Sequence, residues 1–225
     1  MDFHTIKILN ELYELKSTQI CISGKKITGL LNLYKFVKLK KLDCSFNNIT
    51  QIVNIPDSLE ELICQHNHLI ELNLSTTNIK ILHCEYNFLT ELNSLPNCII
   101  ELYCYQNKIK SLNNLPNLLT KLCCSDNEIE NLDNLPSSIK ILNCSSNPLR
   151  ELNNLPNSIE ILCCKYIRNN ISLNCLPKSL TELDCSFSNI LDISNLSNSK
   201  CIIKWSDCNK IKELEKKGYI IDRFS

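Results

Sequence analysis

The sequence predicts a repeat solenoid with a parallel β-sheet along one side. Three observations carry this expectation. Lines beginning at Leu39, Leu59, Ile79, Ile99, Leu119, Ile139, Ile159 and Leu180 recur at 20 residues six times and then at 21. Every line repeats a leucine and, two residues on, a cysteine: Leu42 and Cys44, Leu62 and Cys64, Leu82 and Cys84, Leu102 and Cys104, Leu122 and Cys124, Leu142 and Cys144, Leu162 and Cys164, Leu183 and Cys185. Asparagine then stands three places after the cysteine at Asn47, Asn67, Asn87, Asn107, Asn127 and Asn147.

Each element follows from side-chain geometry. Residues two apart point the same way in a strand, so leucine and cysteine together define an inward face, and each line supplies a short strand such as Glu101 to Tyr105. Stacked lines bury these columns as one continuous core. The asparagine marks the turn leaving the strand, where its amide can pair with backbone that would otherwise be stranded. Twenty residues leave little room for a helix. The outer side is therefore expected to be extended or polyproline-like, which suits the Leu-Pro pairs at Leu95, Leu115, Leu135, Leu155 and Leu176. A degenerate copy spans roughly Ser17 to Lys38, with Ile20, Ile22, Ile27, Leu30 and Leu33 in the core slots. Line seven carries an extra residue after Cys164 and lacks the asparagine, and line eight has Ser188 in that slot, which reads as decay near a terminus or a local bulge. Phe3, Ile6, Leu9 and Leu12 recur at helical spacing and predict a capping helix from Asp2 to Leu15. Lys200 to Trp205 reads as a last strand and Asp207 to Lys217 as a helix stopped by Gly218. The division is thus an N-terminal helical cap at 1–16, about nine repeats over 17–199, and a strand-plus-helix cap at 200–225.

The columns resemble those of the leucine-rich-repeat family, LxxLxLxxNxL, with cysteine in place of the third leucine, over about Ser17 to Ser199. The 20-residue period and the Leu-Pro close are similar to the short repeats of bacterial effectors. The Asn-, Ile- and Lys-rich composition is also similar to repeat proteins of giant DNA viruses of amoebae. The resemblance implies a right-handed β/α-type horseshoe with the parallel sheet on its concave face and partners bound there.

Fifteen cysteines are the compositional outlier. In a small secreted domain they would read as a disulfide framework. The column cysteines instead read as core packing. Neighbouring strands lie about 4.8 Å apart, whereas a disulfide wants Cβ atoms about 3.8 Å apart. A buried thiol is a small, unreactive hydrophobe. Reduced core cysteines imply the cytoplasm, or a host cytoplasm if the chain is viral. Cys123 and Cys163 fall on the sheet's solvent face with no base placed beside them, which is poor ground for a nucleophile.

Lys plus Arg and Asp plus Glu each number 24. That balance disfavours nucleic acid and anionic membrane as partners, and no apolar run is long enough to cross a bilayer. The first 16 residues lack the continuous apolar stretch of a secretory signal. The sheet's solvent face carries acids at 43, 61, 85, 101, 126, 182 and 184 against lysines at 41, 121 and 165. On it, His66, His83, Glu85, Tyr86, Tyr103 and Tyr105 gather around Ile63 and Ile81, the composition of a protein-interface hot spot. β propensity alone would also place tyrosine and isoleucine there. No phosphate loop, nucleophile–base pair or zinc-type cysteine spacing appears, so no enzyme activity, cofactor, metal or small-molecule substrate is expected. The expected function is a monomeric, non-enzymatic scaffold binding a protein partner, a host protein included. The alternatives are a structural or virion-associated assembly component, or the recognition module of an enzyme supplied by another chain.

Overall fold

The computed structural model describes residues 14–173, 175–192, 201–204, 215, 216 and 218–222. It divides into two compact units, Met1–Ile109 and Lys110–Ser225. The first contains β1 (Gln19–Cys21), β2 (Thr28–Asn32), β3 (Lys41–Asp43), β4 (Asn48–Val53), β5 (Glu61–Ile63), β6 (Ile81–His83) and β7 (Glu101–Tyr103). The second contains β8 (Lys121–Cys123), β9 (Ile141–Asn143), β10 (Ile161–Cys163), β11 (Ile171–Ser172), β12 (Glu182–Asp184), β13 (Ile190–Asp192), β14 (Ile202–Lys204) and β15 (Ile220–Asp222).

In the first unit β1, β3, β5, β6 and β7 pair in that order, all parallel, with Leu42, Leu62, Leu82 and Leu102 directly opposite one another. In the second, β8, β9, β10, β12, β14 and β15 do the same. The strands are three residues long, shorter than the predicted Glu101 to Tyr105. The reason lies two residues past each cysteine. Phe46, His66, Tyr86, Gln106, Asp126, Ser146, Tyr166 and Phe187 all have φ between 51° and 59°. A left-handed residue turns the chain out of the extended conformation and ends the strand.

The leucine and cysteine columns are buried in each line from Leu42 and Cys44 to Leu183 and Cys185, and Ile20 and Ile22 take their places in the first. The column asparagines Asn47, Asn67, Asn87, Asn107 and Asn147 lie behind the left-handed residue and hold two successive turns together. Asn87 Nδ2 donates to Cys84 O of its own turn and to Cys64 O of the preceding one, both at 3.1 Å, while its Oδ1 accepts from Leu69 N–H at 3.0 Å. Asn47, Asn67 and Asn147 make the same kind of set. Where the asparagine is missing, Ser188 Oγ accepts from Ile167 N–H at 3.0 Å and donates to Cys164 O at 2.7 Å. The departure in line eight is therefore a partial chemical replacement of the amide.

Several expectations are corrected. The outer side of a typical line carries two short turns, at 113–114 and 117–118, separated by residues in neither helix nor strand. The proline carbonyl accepts the N–H three residues on, as in Leu119 N to Pro116 O at 3.1 Å and Ile139 N to Pro136 O at 3.2 Å, so proline opens the turn that feeds the next strand. In the line without proline, Thr77 closes a turn two residues earlier, donating both N–H and Oγ1 to Leu74 O. Near the two ends, strands do form outside the main sheet: β2 with β4, and β11 with β13. The first pair corrects a core residue. A register shift between Gly29 and Leu30 slides the chain by one position, so Leu31 is buried and Leu30 is half-buried. Gly29, at φ +71°, permits that bulge. The predicted helix from Asp2 to Leu15 lies almost entirely outside the described residues. Of Asp207 to Lys217 only Glu215 and Lys216 are described, both helical, and Gly218 follows in the left-handed region at φ +85°. The last strand of Lys200 to Trp205 appears as β14. The strand that follows, β15, was not foreseen; a Tyr-Ile-Ile run directly after a glycine was the signal for it.

Candidate functional site

The left-handed column has a consequence for the solvent face. Its residues are pushed outward at the same height in every turn, so rings in that column meet. Phe46 stacks on His66 with centroids 4.4 Å apart and planes 16° apart, and His66 on Tyr86 at 4.0 Å and 11°. Tyr105 closes the row edge-on to Tyr86 at 5.4 Å. A second, shorter row runs along the strands themselves, where His83 stacks on Tyr103 at 4.2 Å and 5°. Tyr166 and Phe187 repeat the left-handed stack in the second unit. Such contacts contribute about 0.5–1.5 kcal/mol each beyond area burial, enough to offset part of the cost of left-handed backbone at bulky residues.

Five of the six sequence-selected residues thus lie in the two rows: His66, Tyr86 and Tyr105 in one, His83 and Tyr103 in the other. Phe46, 54% exposed, belongs with them and was not selected. Its signal was an aromatic in the column shared with His66 and Tyr86. Glu85 is corrected. It was read as a solvent-facing carboxylate and is only 2% exposed. The slot immediately before the left-handed residue lies beneath its neighbours, and Ser45, Ser125, Ser145 and Ser186 are buried in it too. Glu85 Oε1 sits 3.2 Å from His83 Nδ1. Its Oε2 is inaccessible and has no hydrogen-bond partner among the described residues.

Ion pairs between successive turns alter the acidic count of this face. Lys41 joins Glu61 at 2.8 Å, Lys165 joins Asp184 at 3.1 Å and Lys204 joins Glu182 at 2.6 Å. Asp184 also holds the Lys165 ammonium above the usual lysine range. Glu101 accepts from Tyr103 Oη at 2.6 Å, fixing that ring.

None of the fourteen described cysteines is joined in a disulfide. Burial raises the thiols of Cys44, Cys64, Cys84, Cys144, Cys164 and Cys185 well above the usual cysteine value. Cys201 is pushed up to about 11, first by burial and then by Glu182. The column thiols also make weak contacts beyond packing: Cys84 Sγ lies 3.4 Å from Tyr103 O and Cys124 Sγ 3.4 Å from Asn143 O, each on the next strand. At pH 8 an alkylating reagent is expected to modify Cys21 and Cys175 within minutes and the column thiols only on unfolding, read by mass spectrometry of peptides. Equal labelling of Cys84 and Cys175 would refute the packed column. Among the described residues no group of three His, Cys, Asp or Glu side chains could hold a metal ion.

The fold now meets known structures. The functional domain of InlJ from Listeria monocytogenes, which includes a cysteine ladder, superposes with a TM-score of 0.72 at 30% identity. That match covers 84% of this chain and 43% of the InlJ domain. The chain is a leucine-rich-repeat protein. YopM from Yersinia enterocolitica shares the fold at a TM-score of 0.68 and 23% identity, over 91% of this chain and 51% of YopM. A Shigella effector leucine-rich-repeat domain does so at 0.55 and 23%, over 92% of this chain and 81% of that one. No family model and no curated protein matches the sequence. This leucine-rich-repeat protein therefore spans about half or less of the length of InlJ and YopM. Its 20-residue spacing fits the repeats of the bacterial effectors. No described helix is long and apolar enough to cross a membrane.

Proposed function

We propose that this leucine-rich-repeat protein is a non-enzymatic binding module that docks a protein partner on the solvent face of its first-unit sheet, the face expected to be concave. The observation that carries the reading is the register of the ring rows. Phe46, His66, Tyr86 and Tyr105, with His83 and Tyr103 beside them, offer a continuous rigid apolar surface at low side-chain entropy cost. The leucine-rich-repeat effectors among its structural neighbours support a binding role. The reduced, buried cysteine column supports a reducing compartment such as the cytoplasm.

The test is affinity capture from a host-cell lysate with the wild type and a Tyr86→Ala, Tyr103→Ala, Tyr105→Ala variant whose circular dichroism and melting temperature show it folded. A protein retained by the wild type and reduced at least about tenfold in the variant is expected, because truncating an interface anchor costs about 2 kcal/mol or more. Equal capture by the two proteins would remove the ring rows from the interface.

A further inference from the structure

We propose that the partner presents an arginine side chain to the ring row, stacking its guanidinium on Tyr86 and donating to the carboxylate of Glu85. This rests on the reading of the solvent face as the docking surface. Two independent observations lead to it. The first is the row itself, in which Tyr86 is 41% exposed and its contact with Tyr105, at 5.4 Å and edge-on, is the loosest. The second is the orphaned oxygen. Glu85 is the residue before Tyr86, its side chain is 3% exposed, and Oε2 has neither water access nor a donor. A buried acceptor without a donor is destabilising, and supplying a charged donor relieves that directly.

The chemistry selects among donors. A guanidinium is planar, stacks on aromatic faces, is weakly hydrated and donates several N–H bonds at once. An ammonium is compact and strongly hydrated, so it loses more on entering a site roofed by rings. A metal ion lacks ligands here, since no three suitable side chains converge among the described residues. The route in is the Tyr86–Tyr105 contact. Tyr105 swings off the edge of Tyr86, and the guanidinium takes its place against the ring, one residue from Glu85.

The experiment measures fluorescence anisotropy of a labelled short oligoarginine peptide and the oligolysine of equal length, at fixed ionic strength, against four folded proteins. These are the wild type, Glu85→Gln, Tyr86→Ala and, as control, Glu71→Gln, an exposed position away from the sheet face. The wild type and the control are expected to bind oligoarginine at least about tenfold more tightly than oligolysine. Glu85→Gln is expected to lose that preference, because the amide offers no carboxylate for the guanidinium to pair with. Equal affinity for the two peptides, no binding of oligoarginine, or an unchanged preference in Glu85→Gln would overturn the proposal. If partner capture still depends on Tyr86, Tyr103 and Tyr105 in any of those cases, the docking face stands and only its arginine chemistry fails.

Discussion

With reductant present, the melting temperature is expected to hold from about pH 6 to 8 and then to fall steeply as the pH passes 9. Three thiols in each unit drive this: Cys44, Cys64 and Cys84 in the first, Cys144, Cys164 and Cys185 in the second. Burial raises each above its unfolded value. The native thiols therefore stay protonated while those of the unfolded chain ionise. Stability is fully present below the unfolded thiol value near 8.5 and is lost as the pH rises through the interval between unfolded and folded values. Each thiol removes about 1.4 kcal/mol per pH unit there, so each unit loses about 4 kcal/mol per pH unit. Against a typical domain stability of about 5–15 kcal/mol, unfolding follows within a few pH units. Thermal melts followed by circular dichroism at half-unit steps from pH 7 to 10.5 would show it. A Cys64→Ala, Cys84→Ala variant separates this effect from lysine and tyrosine titration: it should be less stable at pH 7 and decline less steeply above 9. A melting temperature that stays level to pH 10 would sink the account.

Replacing Asn87 with alanine is expected to destabilise the first unit by about 3–5 kcal/mol, because several buried partners lose their bonds at once. The side chain is buried, and it alone joins Leu69 N–H to the carbonyls of Cys64 and Cys84. Alanine leaves the buried Leu69 N–H without its acceptor, while the Cys64 and Cys84 carbonyls keep one side-chain donor each, from Asn67 and Asn107. Asn87→Asp should do as badly, since it keeps the acceptor but replaces two donors with a buried charge. Asn87→Ser should lie between alanine and wild type, because Ser188 already satisfies both a donor and an acceptor from this column. Urea unfolding of the three variants gives the order directly. An alanine variant within 1 kcal/mol of wild type would mean that neighbouring turns re-pair without the amide.

Much of the fold was legible because its forces are periodic. Leu82 and Cys84 share a face by strand geometry, and their recurrence every 20 residues predicts which residues lie opposite one another before any coordinate is known. The site was legible as composition and not as arrangement. Tyr86 and His66 could be placed on the solvent face, but their stacking depends on a left-handed backbone that no residue in that column encodes by itself. Phenylalanine and tyrosine avoid that conformation in isolation, and histidine enters it only somewhat more readily. It persists because the buried residue that follows, Asn47, Asn67 or Asn87, is held by its bonds to the neighbouring turn. Glu85 failed for a related reason. Strand alternation puts it on the solvent face, yet its slot lies beneath its neighbours, as it does for Ser45, Ser125, Ser145 and Ser186, and only side-chain packing records that.

The sequence by itself determined the repeat length, the inward leucine and cysteine columns, the turn residue that crosses between coils, and hence the parallel solenoid, because all of these follow from side-chain alternation and a fixed period. Tertiary structure alone decided that the rings at 46, 66 and 86 form a stacked row, that Ser188 partly replaces an asparagine, and that Glu85 is buried with an unsatisfied oxygen. Those features arise from contacts between turns, where the energy of one residue depends on what the adjacent turn places against it.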